Sequence, residues 1–182
     1  MSYAYPTKEF ALKMLTCDPC YEKIAHVEDS YLVDLAWETG RSAAERMKKE
    51  GCRTAEQLLL RSGLKVERQN KDQVIGPTRF FCEIYPDQKK ICLYTKSVHL
   101  WAQQNDLTDQ EATEYMLAHE YFHYLEVTEL GLTSKKYLVP MLKIGKLKIG
   151  KTGIKALSEI GAYAFSAEFG RERREKSEQY PI

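Results

Sequence analysis

Two histidines four residues apart, with a glutamate directly after the first, carry the strongest chemical signal in this 182-residue sequence. The stretch runs Leu117-Ala118-His119-Glu120-Tyr121-Phe122-His123-Tyr124-Leu125-Glu126 and reads as helix from end to end. On a helix with 3.6 residues per turn, side chains four apart leave the same face, so the imidazoles of His119 and His123 can reach one cation together. Glu120 lies about 100° around the helix from His119. That position suits a carboxylate that meets a metal-activated water and is poorly aimed for a ligand, so Glu120 is the expected catalytic residue of a zinc hydrolase and Zn2+ the expected cofactor. The competing reading, two hydrogen-bonded core histidines, needs no metal.

A catalytic zinc requires a third protein ligand and an open position for water. Glu126 shares the side of His119, but seven residues of unbroken helix separate the two by about 10 Å, too far for bonds near 2 Å to converge. Glu126 is therefore expected to accept a hydrogen bond from a ligand histidine. Downstream, Leu157-Ser158-Glu159-Ile160-Gly161-Ala162-Tyr163-Ala164-Phe165 sets a carboxylate beside small and apolar residues that let a helix pack closely. Burying a carboxylate there is costly unless it is paired or binds metal, which makes Glu159 the expected third ligand; its alternative is an exposed polar edge. Tyr94, His99 and Tyr163 are unranked candidates for donating to an oxyanion.

Other elements must hold these groups. Thr108-Asp109-Gln110-Glu111 is a capping box for the motif helix, which runs to Leu130, with Gly131 as its terminator. Helical spacing predicts a helix from Glu28 to about Glu50, and Thr54 caps a shorter one that ends at Gly63. Leu64–Glu67 reads as a first strand, and Arg79–Tyr85 with Lys90–Thr95 as a hairpin. The register that puts Phe80, Cys82 and Ile84 on the face of Ile91 and Leu93 leaves Cys82 and Cys92 on opposite faces, so no disulfide is expected between them. Trp101 and Asn105 fall in a polar connection. Lys135 to Lys155 holds seven lysines and no acid. It reads as a solvated connection with alternating buried Ile and Leu, in preference to a basic strip for an acidic partner or nucleic acid. A last helix spans Ile154 to about Phe169.

The chain's charge is nearly balanced, with 27 Lys plus Arg against 26 Asp plus Glu. Neither nucleic acid nor membrane is expected as a partner on that ground. There is no basic segment leading an apolar run at the start and no window long enough to span a bilayer, so a cytoplasmic protein is expected. Five cysteines, an odd number, fit reduced thiols. Cys17-Asp18-Pro19-Cys20 reads as ordinary thiols at a turn and His26 as a surface or partly buried polar residue. The organisation expected is an N-terminal segment 1–27 packing on a domain of 28–170, followed by a charged tail 171–182.

From Ala36 to Phe169 the chain resembles the ImmA/IrrE type of zincin-like metallopeptidases. The resemblance rests on paired helices, a small sheet, Ala118-His119-Glu120-x-x-His123, and Glu159-x-x-Ala162-x-x-Phe165. It implies two histidine ligands at His119 and His123, a general base at Glu120 and a glutamate ligand at Glu159. The fold class implied is α+β and zincin-like, with a small, mostly antiparallel sheet packed on the active-site helix. The resemblance further implies hydrolysis of peptide bonds in a narrow protein target such as a transcriptional regulator. The substrate strand is expected to lie along the exposed edge of Ile91–Thr95. Two positions depart from the family: Tyr121-Phe122 are bulky inside the motif, and Tyr163 stands where an Asn is common. The bulky Tyr121-Phe122 pair, the lack of an obvious oxyanion donor and the lysine-rich stretch motivate the alternative of a non-catalytic zincin-fold binding or regulatory module.

Overall fold

The computed structural model describes residues 6–24, 28–144 and 147–179, and their side chains except those of 143–144 and 172–179. Its architecture is mixed α and β, built around a crossing of helices at which two glycines meet. Helices α1 (Lys8–Thr16), α2 (Asp29–Lys49) and α3 (Ala55–Ser62) precede the strands. Helix α4 (Thr95–Gln104), α5 (Asp109–Leu125) and α6 (Lys155–Gln179) follow them. Helix α2 lies against α6, and a Cβ on Gly40 would stand 1.9 Å from the carbonyl oxygen of Gly161. A Cβ on Gly161 would stand 2.8 Å from the ring of Phe122, which α5 contributes and which is fully buried. Glycine thus sets the separation of three helices at one point, and the close packing of the interior carries that spacing to everything on them.

The helix ends follow the local chemistry expected of them. Thr108 Oγ1 accepts the Glu111 N–H at 3.2 Å, and the Glu111 carboxylate accepts the Thr108 N–H at 2.9 Å, so the box opening α5 is reciprocal. Thr54 and Gln57 open α3 in the same way, and Gly63 closes it at φ 66, in the left-handed region that glycine enters freely. Beyond Leu125 the motif helix does not stay α-helical. Glu126–Leu130 forms a π-helical turn, and Gly131 at φ 75 then ends the element.

Strands β1 (Lys65–Gln69), β4 (Cys82–Tyr85) and β5 (Lys90–Tyr94) form a three-stranded sheet in the order β1-β5-β4. Cys82 pairs with Leu93 and Ile84 with Ile91, one of the registers that put these four residues on a common face, as the alternation of apolar residues requires. The five cysteines are all free thiols. The long first arm of the hairpin is broken at Phe81: β3 (Thr78–Phe80) pairs instead with β2 (Gln73–Ile75). Of the four described strand pairings three are antiparallel, and β1 with β5 is parallel. That parallel partner overturns the expected substrate edge. Strand β5 is central, hydrogen-bonded on both sides, and the open edges belong to β1 and β4.

Three further segments differ from the sequence reading. Trp101 lies on a helix, α4, whose Ser97, Val98 and Ala102 are buried and whose Trp101 stacks on Tyr115 at 5.6 Å; interspersed polar residues hid the helical spacing. Within the N-terminal segment, Thr7 caps α1, whose Ala11 and Leu15 are buried. Asp18 accepts the N–H of Cys20 at 2.8 Å and that of Ala156 at 2.9 Å, tying the Cys-x-x-Cys turn to the start of α6. His26 lies outside the described residues. The lysine-rich stretch is a two-stranded antiparallel ribbon, β6 (Leu138–Ile144) with β7 (Leu147–Gly153), and not a connection with buried aliphatics. Val139 is buried, whereas Leu138, Met141, Leu142, Leu147 and Ile149 are exposed. Among the described residues no helix is long and apolar enough to cross a membrane.

Candidate metal centre

His119 and His123 leave one face of α5, and the helix crossing brings Glu159 of α6 against them. Gly161, at the crossing, is two residues from Glu159, so the close approach that Gly40 permits also fixes where that carboxylate stands. His119 Nε2 lies 3.3 Å from His123 Nε2 and 3.4 Å from Glu159 Oε2, and His123 Nε2 lies 3.6 Å from Glu159 Oε1. Four ligands around zinc at 2.0–2.1 Å in a tetrahedron stand about 3.3 Å from one another. The separation of the two imidazole nitrogens has the size of a tetrahedron edge, and each Glu159 oxygen approaches one imidazole at a similar distance. With one atom taken from each residue the three ligand atoms lie within 4.8 Å of one another, so a His, His, Glu donor set suits zinc with one position open. Both imidazoles are largely enclosed, while the Glu159 side chain is 47% exposed.

The next layer holds the two imidazoles and the carboxylate in place. Glu126, 2% exposed, accepts from His123 Nδ1 at 3.0 Å, from the Thr133 N–H at 2.7 Å and from the Ser158 hydroxyl at 2.8 Å. Burial by itself would raise the Glu126 pKa, but those donors outweigh it and hold the carboxyl below its ordinary value. An ionised Glu126 only accepts, so Nδ1 of His123 carries the proton and Nε2 presents its lone pair to the shared point. Burial pulls the His123 pKa down, yet the Glu126 bond and the charges of Glu159, Glu120 and Glu126 leave it raised. The half-exposed Glu159 loses part of its hydration against the cleft wall, which would raise its pKa, and the His119 bond with the charge of both imidazoles lowers it on balance. The expected role of Glu126 is met, and Thr133 and Ser158 are partners that the sequence did not mark.

Glu120 opens onto the same cleft, a space of about 980 Å³ also bordered by Phe81, Ile84, Trp101, Glu159 and Tyr163. Its carboxylate accepts from the Ile84 backbone N–H, and burial chiefly raises its pKa. That bond agrees with the pairing of the sheet. Phe81 C=O accepts from Tyr94 N–H at 2.9 Å, so residues 81, 83 and 85 turn their backbone groups to β5 while Cys82 and Ile84 turn theirs outward. The open edge of β4 therefore faces the general-base candidate.

The two bulky residues inside the motif do not enter the cleft. Tyr121 is 1% exposed, with its hydroxyl 3.1 Å from Ser62 Oγ, and Phe122 is 0% exposed against Gly161. They are core residues of α5, on the side turned from the cleft. Of the three oxyanion candidates, Tyr94 gives its hydroxyl to Glu83 and His99 pairs with Asp109 at 2.8 Å, and neither borders the cleft. Tyr163 does border it, one turn beyond Glu159, with its ring edge-on to His119 at 4.8 Å between centroids. Burial, then the nearby Glu159 and Glu120, push the Tyr163 phenol up to about 12, so it stays protonated at neutral pH. Phe10 of α1 packs edge-on against it at 5.8 Å. No protein-family model, no curated protein and no solved structure matches the chain, so the functional reading stands on this geometry alone.

Proposed function

We propose that the chain is a zinc-dependent metallopeptidase of zincin-like fold, of the ImmA/IrrE type that its motifs resemble. One observation carries the reading: ligand atoms of His119, His123 and Glu159 lie within 4.8 Å of one another beside a separate glutamate on the same cleft. His119, His123 and Glu159 would hold the ion. When bound, zinc supplies Lewis acidity toward water and toward a peptide carbonyl. Glu120 takes the proton of the attacking water on its carboxylate and delivers it to the leaving amine, a transfer suited to a carboxyl whose pKa burial has raised. Tyr163, protonated, donates a hydrogen bond to the oxygen on which charge develops. An extended substrate pairs with the outward groups of Cys82 and the Ile84 carbonyl on the open edge of β4, in place of the β5 edge.

The non-catalytic alternative loses one motive, because Tyr121 and Phe122 fill the core and leave the cleft open. A narrow protein target, such as a transcriptional regulator, remains the expected substrate class. The test uses the zinc-loaded protein against a proteome-derived peptide library. Zinc at one per chain, with cleavage that Glu120→Gln abolishes while keeping the zinc, supports the enzyme. Cleavage unchanged in Glu120→Gln overturns it. Stoichiometric zinc with no cleavage by either protein favours the binding module.

A further inference from the structure

The β6–β7 ribbon borders none of the cleft among the described residues, and its side chains are arranged in a way the metal centre does not need. Its root is firmly attached. Val139 is 2% exposed, Ile154 N–H donates to Ser134 C=O at 2.9 Å, and a Cβ on Gly153 would stand 2.2 Å from that same carbonyl oxygen. The Lys23 ammonium donates to the Met141 carbonyl at 2.8 Å. Beyond the root the strands turn apolar groups to solvent. Leu142 pairs with Ile149, and the alternation of a pleated ribbon sets Leu138 and Leu147 on the same face. These four residues are 50%, 46%, 49% and 60% exposed. A rigidly rooted ribbon with that much aliphatic surface in water is matched to something that covers it.

Charge indicates what. Between Lys135 and Lys155 the chain has seven lysines, no acidic residue and no arginine, and Lys148 and Lys151 are exposed on the ribbon itself. Protein interfaces favour Trp, Tyr and Arg at their centres and are depleted in lysine. Nucleic-acid readers rely on arginine at base edges or aromatic rings for stacking. Strands β6 and β7 carry neither kind of residue. Aliphatic side chains interleaved with lysines are instead the pattern of an interfacial binder, its apolar face entering the headgroup boundary and its ammonium groups reaching anionic headgroups.

We propose that the β6–β7 ribbon, through Leu138, Leu142, Leu147 and Ile149 with Lys148 and Lys151, is a peripheral docking surface for an anionic lipid membrane. It is a separate property from peptide hydrolysis and does not rest on it. The balanced charge of the whole chain gives no reason to expect a membrane partner, and a local lysine-rich surface needs no net charge. The test is co-sedimentation of the full chain with vesicles of phosphatidylcholine alone and of phosphatidylcholine with phosphatidylserine, at low and high salt. The protein sediments with the anionic vesicles and is released by salt. Each lysine near such a surface strengthens binding about fivefold, so Lys148→Gln with Lys151→Gln weakens it by at least tenfold. Leu142→Ser with Ile149→Ser weakens it similarly, while Glu120→Gln sediments like the parent chain. Absence of sedimentation with anionic vesicles, equal sedimentation with both vesicle types, or binding that survives both double variants overturns the proposal. Binding to polyglutamate or to duplex DNA without binding to vesicles overturns it as well. Should either variant fold poorly, the lipid and salt comparison on the parent chain decides alone.

Discussion

The helix crossing and the ribbon treat the same kinds of residue in opposite ways. Where α2, α5 and α6 meet, Gly40, Phe122 and Gly161 leave no room for one added carbon, and a half-exposed carboxylate is set to within 3.6 Å of two imidazoles as a result. In the ribbon, four leucines and isoleucines face water, and only the root is packed. The first region spends its apolar surface on positioning a site, and the second keeps it available. Substitutions should therefore be felt strongly in the crossing and barely in the ribbon.

The largest expected effect follows Gly40→Ala, because the new methyl meets backbone and cannot be relieved by a rotamer change. A loss of about 3 kcal/mol is expected, seen as a Tm lower by roughly 10 °C, with zinc uptake weakened because α6 and Glu159 move away. A Tm unchanged within error would show that the crossing has slack. Glu126→Ala comes next. It orphans the Thr133 N–H and frees the His123 ring, so about 2–3 kcal/mol of stability and a 10- to 100-fold weaker zinc affinity are expected from denaturation and metal titration.

Smaller effects on stability separate the chemistry from the scaffold. Tyr163→Phe keeps the ring against His119 and removes the donor, so kcat should fall about tenfold to a hundredfold with little change in KM or Tm. Glu120→Gln makes a pH-dependent statement. A carboxyl raised from 4.5 contributes stability in its protonated form, present below the unfolded value and lost as pH rises through the folded one. In the metal-free protein the glutamine variant should thus melt higher than the parent at pH 7, and the gain should disappear in acid below the unfolded value. At the end of the scale, Leu142→Ser should change stability by no more than about 0.5 kcal/mol in thermal melts; a larger loss would mean the ribbon is packed in solution.

How far the sequence carried this reading depends on the range of each interaction. The capping boxes at Thr54 and Thr108, the shared face of His119 and His123, and the bond from His123 to Glu126 all lie within a few residues of chain, where helix geometry leaves little choice. The shared face of Cys82, Ile84, Ile91 and Leu93 was legible for a similar reason, since a slip of one residue would turn every apolar side chain to the wrong face. Helix α4 was not legible because Lys96, His99 and Gln103 dilute the spacing of Val98, Trp101 and Ala102. Nothing near Gly40 in sequence announces its partner Gly161, and nothing near Ile91 announces that β1 takes its second edge.

The sequence by itself determined the local chemistry: which helix presents two imidazoles and a carboxylate, where that helix begins, and which strand faces are apolar. Tertiary structure alone decided that Glu159 reaches the histidines, that β4 rather than β5 has the open edge, that Tyr121 and Phe122 leave the cleft clear, and that the ribbon's aliphatics remain in water. The division is physical. Helical periodicity and capping act over one or two turns, whereas burial, edge pairing and the approach of two helices depend on segments far apart in the chain that meet only when it is folded.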